Sequence, residues 1–286
     1  MTESRPATPR EVLEDDGAAR SDELDDCPGG IGVTLGAGRL EGASLIVTGG
    51  GSGIGRASAL RFADEGARVL VADLDETAAE RTCNEIREAG GEALGHQVDV
   101  ADEASVEAMV GAALSAFGSI SGAFNNAGFS EQQVAFEDTG LESWNHVLQV
   151  DLTGVFLCMK HEVGPLRRNG GGAIVNTSSV AGVASAPGRV AYTAAKHGVV
   201  GITKLAAREW AQDGIRVNVI CPGLIDTPAL RASMDDAAFE KLARTTTPGR
   251  IAQPSEVGDV ASWLLSNESS YVSGETIVVD YAGITR

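Results

Sequence analysis

The 286 residues are 43% hydrophobic, ample for a core, and carry a formal net charge of −18 with a pI near 4.6, which disfavours nucleic acid and anionic membrane partners because both would be repelled. No apolar run approaches the roughly 20 residues that a membrane span requires, and Met1 opens a polar, acidic stretch without a signal-peptide core, so a cytoplasmic protein with no membrane partner is expected. Cys27, Cys83, Cys158 and Cys221 show no Cys-x-x-Cys spacing, and His96, His146, His161 and His197 form no ligand pattern, so neither a metal site nor thiol redox chemistry is expected.

Along the chain, residues 1–40 hold nine Asp/Glu, four Arg and little periodic apolar pattern, which predicts an acidic, solvated extension ahead of a single domain over residues 41–286. The run Ala43 to Val47 then predicts a strand, Thr48-Gly49-Gly50-Gly51-Ser52-Gly53-Ile54-Gly55 a tight turn, and Ile54 to Glu65 an amphipathic helix. Bare N–H groups at a helix start bind phosphate, and glycines let the main chain take positive φ and approach a pyrophosphate closely. The next strand, Val69 to Ala72, runs into Asp73, twenty residues after Gly53. A carboxylate there accepts hydrogen bonds from an adenosine ribose and repels a 2′-phosphate. With Ser52 rather than a basic residue in the turn, NAD is favoured over NADP.

Further apolar runs at Leu94 to Val98, Gly122 to Asn125, Ala173 to Asn176, Arg216 to Ile220 and Thr276 to Val279 bring the expected strands to seven. Helical segments lie between them, including Ser105 to Phe117, Trp144 to Arg167, Tyr192 to Gln212 and Pro254 to Leu265. Continuous apolar strands separated by helices imply an α/β fold, a Rossmann-type doubly wound parallel sheet covered on both faces, with ligands at the carboxyl ends of the strands. Tyr192 and Lys196, four apart on a predicted helix, share one face. A free tyrosine titrates near 10, and a nearby ammonium with a nicotinamide cation would stabilise its phenolate and lower that value. Alone, such a pair describes an ordinary helix surface. Ser179, thirteen residues earlier and just past the strand Ile174-Val175-Asn176-Thr177, adds a third polar group. Its neighbour Ser178 would point to the opposite face of an extended segment.

From about Leu40 to Gly283 the chain resembles the short-chain dehydrogenase/reductase family. The residues that carry the resemblance are Thr48, Gly49, Gly53 and Gly55 in the glycine motif, Asp99 in Val98-Asp99-Val100, Asn125-Asn126-Ala127-Gly128, the trio Ser179, Tyr192 and Lys196, and Pro222-Gly223 with Thr227. The resemblance implies that Asp99 contacts the adenine amino group, that the Asn125 to Gly128 motif supports the central sheet, and that Pro222, Gly223 and Thr227 hold the nicotinamide carboxamide. Ser52, Ile54, Leu74, Val100 and Ile225 complete the expected cofactor lining. It further implies that Ser179 hydrogen-bonds the substrate oxygen, that Tyr192 is the general acid or base, and that Lys196 lowers its pKa and holds the nicotinamide ribose. A homotetramer is the expected assembly. Two departures stand out. Asp151 occupies the position of the family's usual Asn, which supports a water relay from the lysine largely through its main-chain carbonyl, and Asp280-Tyr281-Ala282-Gly283 replaces the common Asp-Gly-Gly.

Candidate pocket residues are Phe129, Ser130, Val134, Ala181, Val183, Val190 and Leu224, with a lid from Pro228 to Pro248 that includes Leu230, Met234 and Phe239. Their apolar character suits a hydrophobic secondary alcohol or ketone, cyclic or aryl. The expected activity is NAD-dependent interconversion of such an alcohol and its ketone. Three alternatives stay open: a 3-oxoacyl-thioester reductase using NADPH, a non-catalytic dinucleotide sensor, and a sugar-nucleotide epimerase or dehydratase. The last is disfavoured by the glycine spacing and the absence of a substantial C-terminal substrate domain.

Overall fold

The apolar runs are too continuous for a sheet with one wet face. In the computed structural model, which describes residues 38–129 and 132–284, they line up as one parallel sheet. Residues 1–37, Cys27 among them, and Ser130 lie outside the described residues. The seven strands are β1 (Ser44–Thr48), β2 (Arg68–Asp73), β3 (Ala93–Gln97), β4 (Gly122–Asn125), β5 (Gly172–Thr177), β6 (Ile215–Pro222) and β7 (Thr276–Val279). They pair in the order β3-β2-β1-β4-β5-β6-β7, every pairing parallel.

Parallel neighbours need long crossovers, and helices supply them. They are α1 (Gly53–Asp64), α2 (Glu76–Glu88), α3 (Glu103–Phe117), α4 (Leu141–Leu148), α5 (Gly154–Arg168), α6 (Val190–Glu209), α7 (Pro228–Ala232), α8 (Asp236–Thr245) and α9 (Pro254–Leu265). Strand periodicity of two sorts the core into two layers. Ile46, Ala123 and Ile174 pack with Val106 and Met109 of α3, Val155 of α5 and Val199 of α6. Leu45, Val47, Phe124 and Val175 pack with Phe62 of α1, Ile86 of α2 and Leu264 of α9 on the other face, with the Phe62 and Phe124 rings edge-on at 6.0 Å. Among the described residues no helix is long and apolar enough to cross a membrane.

The segment read as one helix from Trp144 to Arg167 is two helices. α4 starts earlier, at Leu141, and a π-helical turn at Gln149–Thr153 separates it from α5. Nothing in Gln149-Val150-Asp151-Leu152-Thr153 opposes an α-helix, so periodicity does not reveal the break; the wider turn carries Asp151 into full burial. Elsewhere caps set the boundaries. Asp102 accepts from the Ala104 and Ser105 amides, and so α3 begins at Glu103, two residues before the expected Ser105.

One buried polar cluster underlies the sheet's midpoint. The Asn125 side-chain amide donates to Glu162 Oε2 at 3.0 Å and to Asn176 Oδ1 at 3.1 Å, and Asn176 donates to Thr203 Oγ1 at 2.9 Å. Glu162 is fully buried, and its Oε1 and the Asn125 Oδ1 lack hydrogen-bond partners among the described residues. Burial pushes the Glu162 carboxyl up to about 7, against the opposing pull of the Asn125 donor. A carboxyl that holds its proton more tightly folded than unfolded stabilises fully at low pH, and that contribution is lost as pH rises toward 7. Unfolding free energy is therefore expected to fall by roughly 3 kcal/mol across that window in chemical denaturation. The Glu162→Gln variant, whose amide can donate to Asn125 Oδ1, is expected to flatten the fall; the same pH slope in both proteins would contradict the assignment.

Candidate active site

The glycine turn is held open by its neighbours. Gly49 and Gly53 take φ of +65° and +51°, the left-handed region that favours glycine. A Cβ on Gly55 would lie 2.0 Å from the Gly49 carbonyl oxygen, so α1 can start against the turn only with glycine there. Asp73, at the end of β2, accepts from the Gly51 N–H through Oδ2 at 2.8 Å, which fixes both the turn and the carboxylate beside it. Thr48 Oγ1 accepts from the amides of Asn126 and Ala127 at 3.0 and 3.1 Å, tying the segment after β4 to the segment after β1. Across the turn, Thr227 Cγ2 would stand 3.2 Å from a Cβ on Gly53.

This is a cradle that side chains would fill. Ser52 is exposed and makes no side-chain cap at the start of α1, leaving that terminus's N–H groups to an external acceptor. Around it lie the exposed Leu74 beyond β2, the exposed Asp99 and buried Val100 beyond β3, Gly128 beyond β4, and Pro222, Gly223 and the buried Ile225 at and beyond the end of β6. Asp99 Oδ1 accepts from the Ala101 amide at 2.9 Å. The residues present fit a dinucleotide laid along the carboxyl edge of β3, β2, β1, β4 and β6.

The polar trio sits further along that edge. Ser178 is consumed structurally: it is buried, and its hydroxyl donates to the Lys196 carbonyl at 2.8 Å. Ser179 is half-buried, and its Oγ accepts from the Ala181 amide at 3.2 Å, which leaves the O–H to donate to a ligand. On α6, Lys196 Nζ stands 5.3 Å from the Tyr192 ring centroid. Its ammonium is buried, donates to the Thr177 carbonyl at 3.4 Å, and lies 3.3 Å from Asp151 Oδ2. Burial alone would lower the Lys196 pKa; Asp151, then Tyr192 and Cys221, outweigh it and hold the ammonium above its ordinary value. The other oxygen of Asp151, Oδ1, accepts from the Phe129 amide at 2.9 Å. Sequence reasoning placed Asp151 here through its main chain, but it missed the side chain's ion pair, which nothing in the local pattern signals.

Phe129 is partly exposed with its ring 4.8 Å from that of His146, Leu224 is partly exposed, Leu230 is half-buried, and Ala181 is buried. In the segment from Pro228 to Pro248, Arg231 is bound by both oxygens of Asp226 at 2.7 and 2.8 Å and lies over the Phe239 ring, and Arg244 pairs with Glu240. The thiols are held in their protonated form by burial: Cys83 is pushed up to about 11, Cys158 well above its ordinary value, and Cys221 upward. Among the described residues no group of three or more His, Cys, Asp or Glu is placed to hold a metal ion.

The family model described as enoyl-(acyl carrier protein) reductase matches residues 49–285. The chain is 41% identical over 244 residues to a 2,5-dichloro-2,5-cyclohexadiene-1,4-diol dehydrogenase of Sphingobium indicum, covering 84% of this chain and 96% of that protein. It is 42% identical over 237 residues to a cyclohexanol dehydrogenase of an Acinetobacter species, covering 83% and 93%. The crystal structure of a levodione reductase superposes with a TM-score of 0.82 at 37% identity, covering 85% of this chain and 97% of that one.

The cradle generates a direct expectation. Gly55→Ala should weaken dinucleotide binding at least tenfold, about 1.4 kcal/mol, in fluorescence titration. Gly111→Ala, inside α3 with nothing near its added Cβ, should leave binding unchanged. Equal binding by both variants would remove the glycine turn from the cofactor site.

Proposed function

Because the chain belongs to the short-chain dehydrogenase/reductase family, we propose that it interconverts hydrophobic cyclic secondary alcohols and their ketones, with NAD(H) as hydride carrier. The observation that carries this reading is the placement of Ser179, Tyr192 and the Lys196 ammonium on the strand edge that also bears the glycine cradle. When bound, the nicotinamide supplies or accepts the hydride. Ser179 donates its O–H to the substrate oxygen and stabilises the charge that develops there. Tyr192 exchanges a proton with that oxygen, and the Lys196 ammonium beside its ring favours the phenolate.

For the substrate class, partly exposed Phe129 and Leu224 offer apolar walls, and the relatives named above include a cyclohexanol dehydrogenase and a cyclohexadienediol dehydrogenase. A carrier-protein thioester is less well served. Of the basic residues between Pro228 and Pro248, Arg231 is already held by both oxygens of Asp226 and is not a ready contact for an acidic carrier. For the cofactor, the Asp73 carboxylate fixed at the end of β2 favours a ribose hydroxyl over a 2′-phosphate. Exposed Phe136, Leu141, Phe156 and Leu205 are consistent with assembly into a homo-oligomer, which we take to be a tetramer.

Tyr192→Phe is expected to lower turnover of a cyclic ketone by at least about a hundredfold while NADH binding changes little. Unchanged turnover would remove Tyr192 from the mechanism. Asp73→Asn keeps an acceptor for the Gly51 amide and removes the charge. It should raise the NADPH to NADH ratio of kcat/KM by about tenfold or more; a fixed ratio would show that Asp73 does not set cofactor choice.

A further inference from the structure

The mechanism proposed above asks for a positive charge beside Tyr192, yet the structure places a buried negative charge against it. Asp151 is wholly inaccessible to solvent, and its Oδ2 lies 3.3 Å from Lys196 Nζ. Its Oδ1 accepts from the Phe129 N–H at 2.9 Å. The loop is shaped for the pair, since a Cβ on Gly128 would stand 3.1 Å from Asp151 Oδ1 and 3.2 Å from Lys196 Nζ. One carboxylate thus joins the π-helical turn before α5, the loop after β4 that bears Phe129, and the lysine of α6.

We propose that Asp151 is a positioning residue that clamps the Lys196 ammonium and, by compensating its charge, raises the pH at which Tyr192 gives up its proton. The inference rests on Tyr192 being the acid-base group. An ammonium beside a phenol favours phenolate, and a carboxylate in contact with that ammonium cancels part of its field. The ionisable and polar groups that face Lys196 are Asp151 from the π-helical turn, Tyr192 from its own helix, Cys221 from β6 and the Thr177 carbonyl from β5. The Cys221 thiol is raised by burial and stays neutral, so Asp151 is the compensating anion. An amide in its place would still accept from Phe129 but would turn an N–H donor toward the ammonium, while the Thr177 carbonyl remains available to Nζ. Lys196 would then act on Tyr192 uncompensated.

The first readout needs no bound cofactor. The chain has three tyrosines, Tyr192, Tyr271 and Tyr281, and phenolate formation is followed by ultraviolet difference absorbance, with Tyr192→Phe titrated in parallel to isolate the Tyr192 component. In Asp151→Asn that component should move to lower pH by about one unit, and the acid limb of kcat for alcohol oxidation should move with it. A Tyr192 titration that coincides with the wild type, or moves to higher pH, overturns the proposal. Asp151→Ser also removes the charge and keeps an acceptor; it should shift the same way and serves if the Asn variant does not fold. If Tyr192→Phe retains turnover, the acid-base reading itself fails. If Tyr192→Phe is inactive and Asp151→Asn is unshifted, only the role of Asp151 fails.

Discussion

An all-parallel sheet ends every strand at the same edge, and the site described above depends on that constraint. Because β1 to β6 all run one way, the residues just past their carboxyl ends gather along a single line although they are scattered from Gly49 to Thr227 in the chain. The strand order turns back between β1 and β4, and the segments that follow those strands are stitched together there by Thr48 and Asn126. The same direction brings the start of α1, Asp73 and Ser179 to one side of the molecule. Burial of both faces keeps the sheet rigid and removes any freedom to slip in register.

Within that frame, the polar groups divide by what their surroundings ask of them. Ser178 and Ser179 are chemically identical neighbours, yet one is buried and spends its proton on the Lys196 carbonyl while the half-buried other accepts from the Ala181 amide. Lys196 and Glu162 are both charge-bearing groups in the interior. The lysine has an anion in contact and remains an ammonium, whereas the glutamate meets a single amide donor, Asn125, and is pushed toward neutrality. A buried acid pushed toward its neutral form beneath the sheet's carboxyl edge and a buried base held charged at that edge follow from the same rule, that low dielectric tolerates charge only where it is compensated.

Much of this architecture was legible in the residues. Uninterrupted apolar runs reported the strands, and both the central Gly122–Asn125 and the edge strand Thr276–Val279 fall where the pattern puts them. The glycine turn was legible because its residues must lack a Cβ, and the resemblance carried by Ser179, Tyr192 and Lys196 located the polar trio. What stayed hidden depends on contacts between distant segments. Helical periodicity runs through Gln149–Thr153 without a break, so the π-helical turn and the burial of Asp151 leave no local trace. The pairing of Asp151 with Lys196, 45 residues away, and of Glu162 with Asn125, 37 residues away, arises only once α5, α6 and β4 are packed.

On the function proposed above, this edge transfers hydride between NADH and the carbonyl carbon of a hydrophobic cyclic ketone. The most direct test is mass analysis of the alcohol formed from cyclohexanone-type ketones with NADH carrying deuterium at C4 of the nicotinamide, prepared separately with the label on each face. One deuterium is expected at the carbinol carbon from one of the two labelled forms and none from the other, with the NADPH counterpart turned over more slowly. Cofactor binding without deuterium transfer to any ketone of this class would contradict the proposed function.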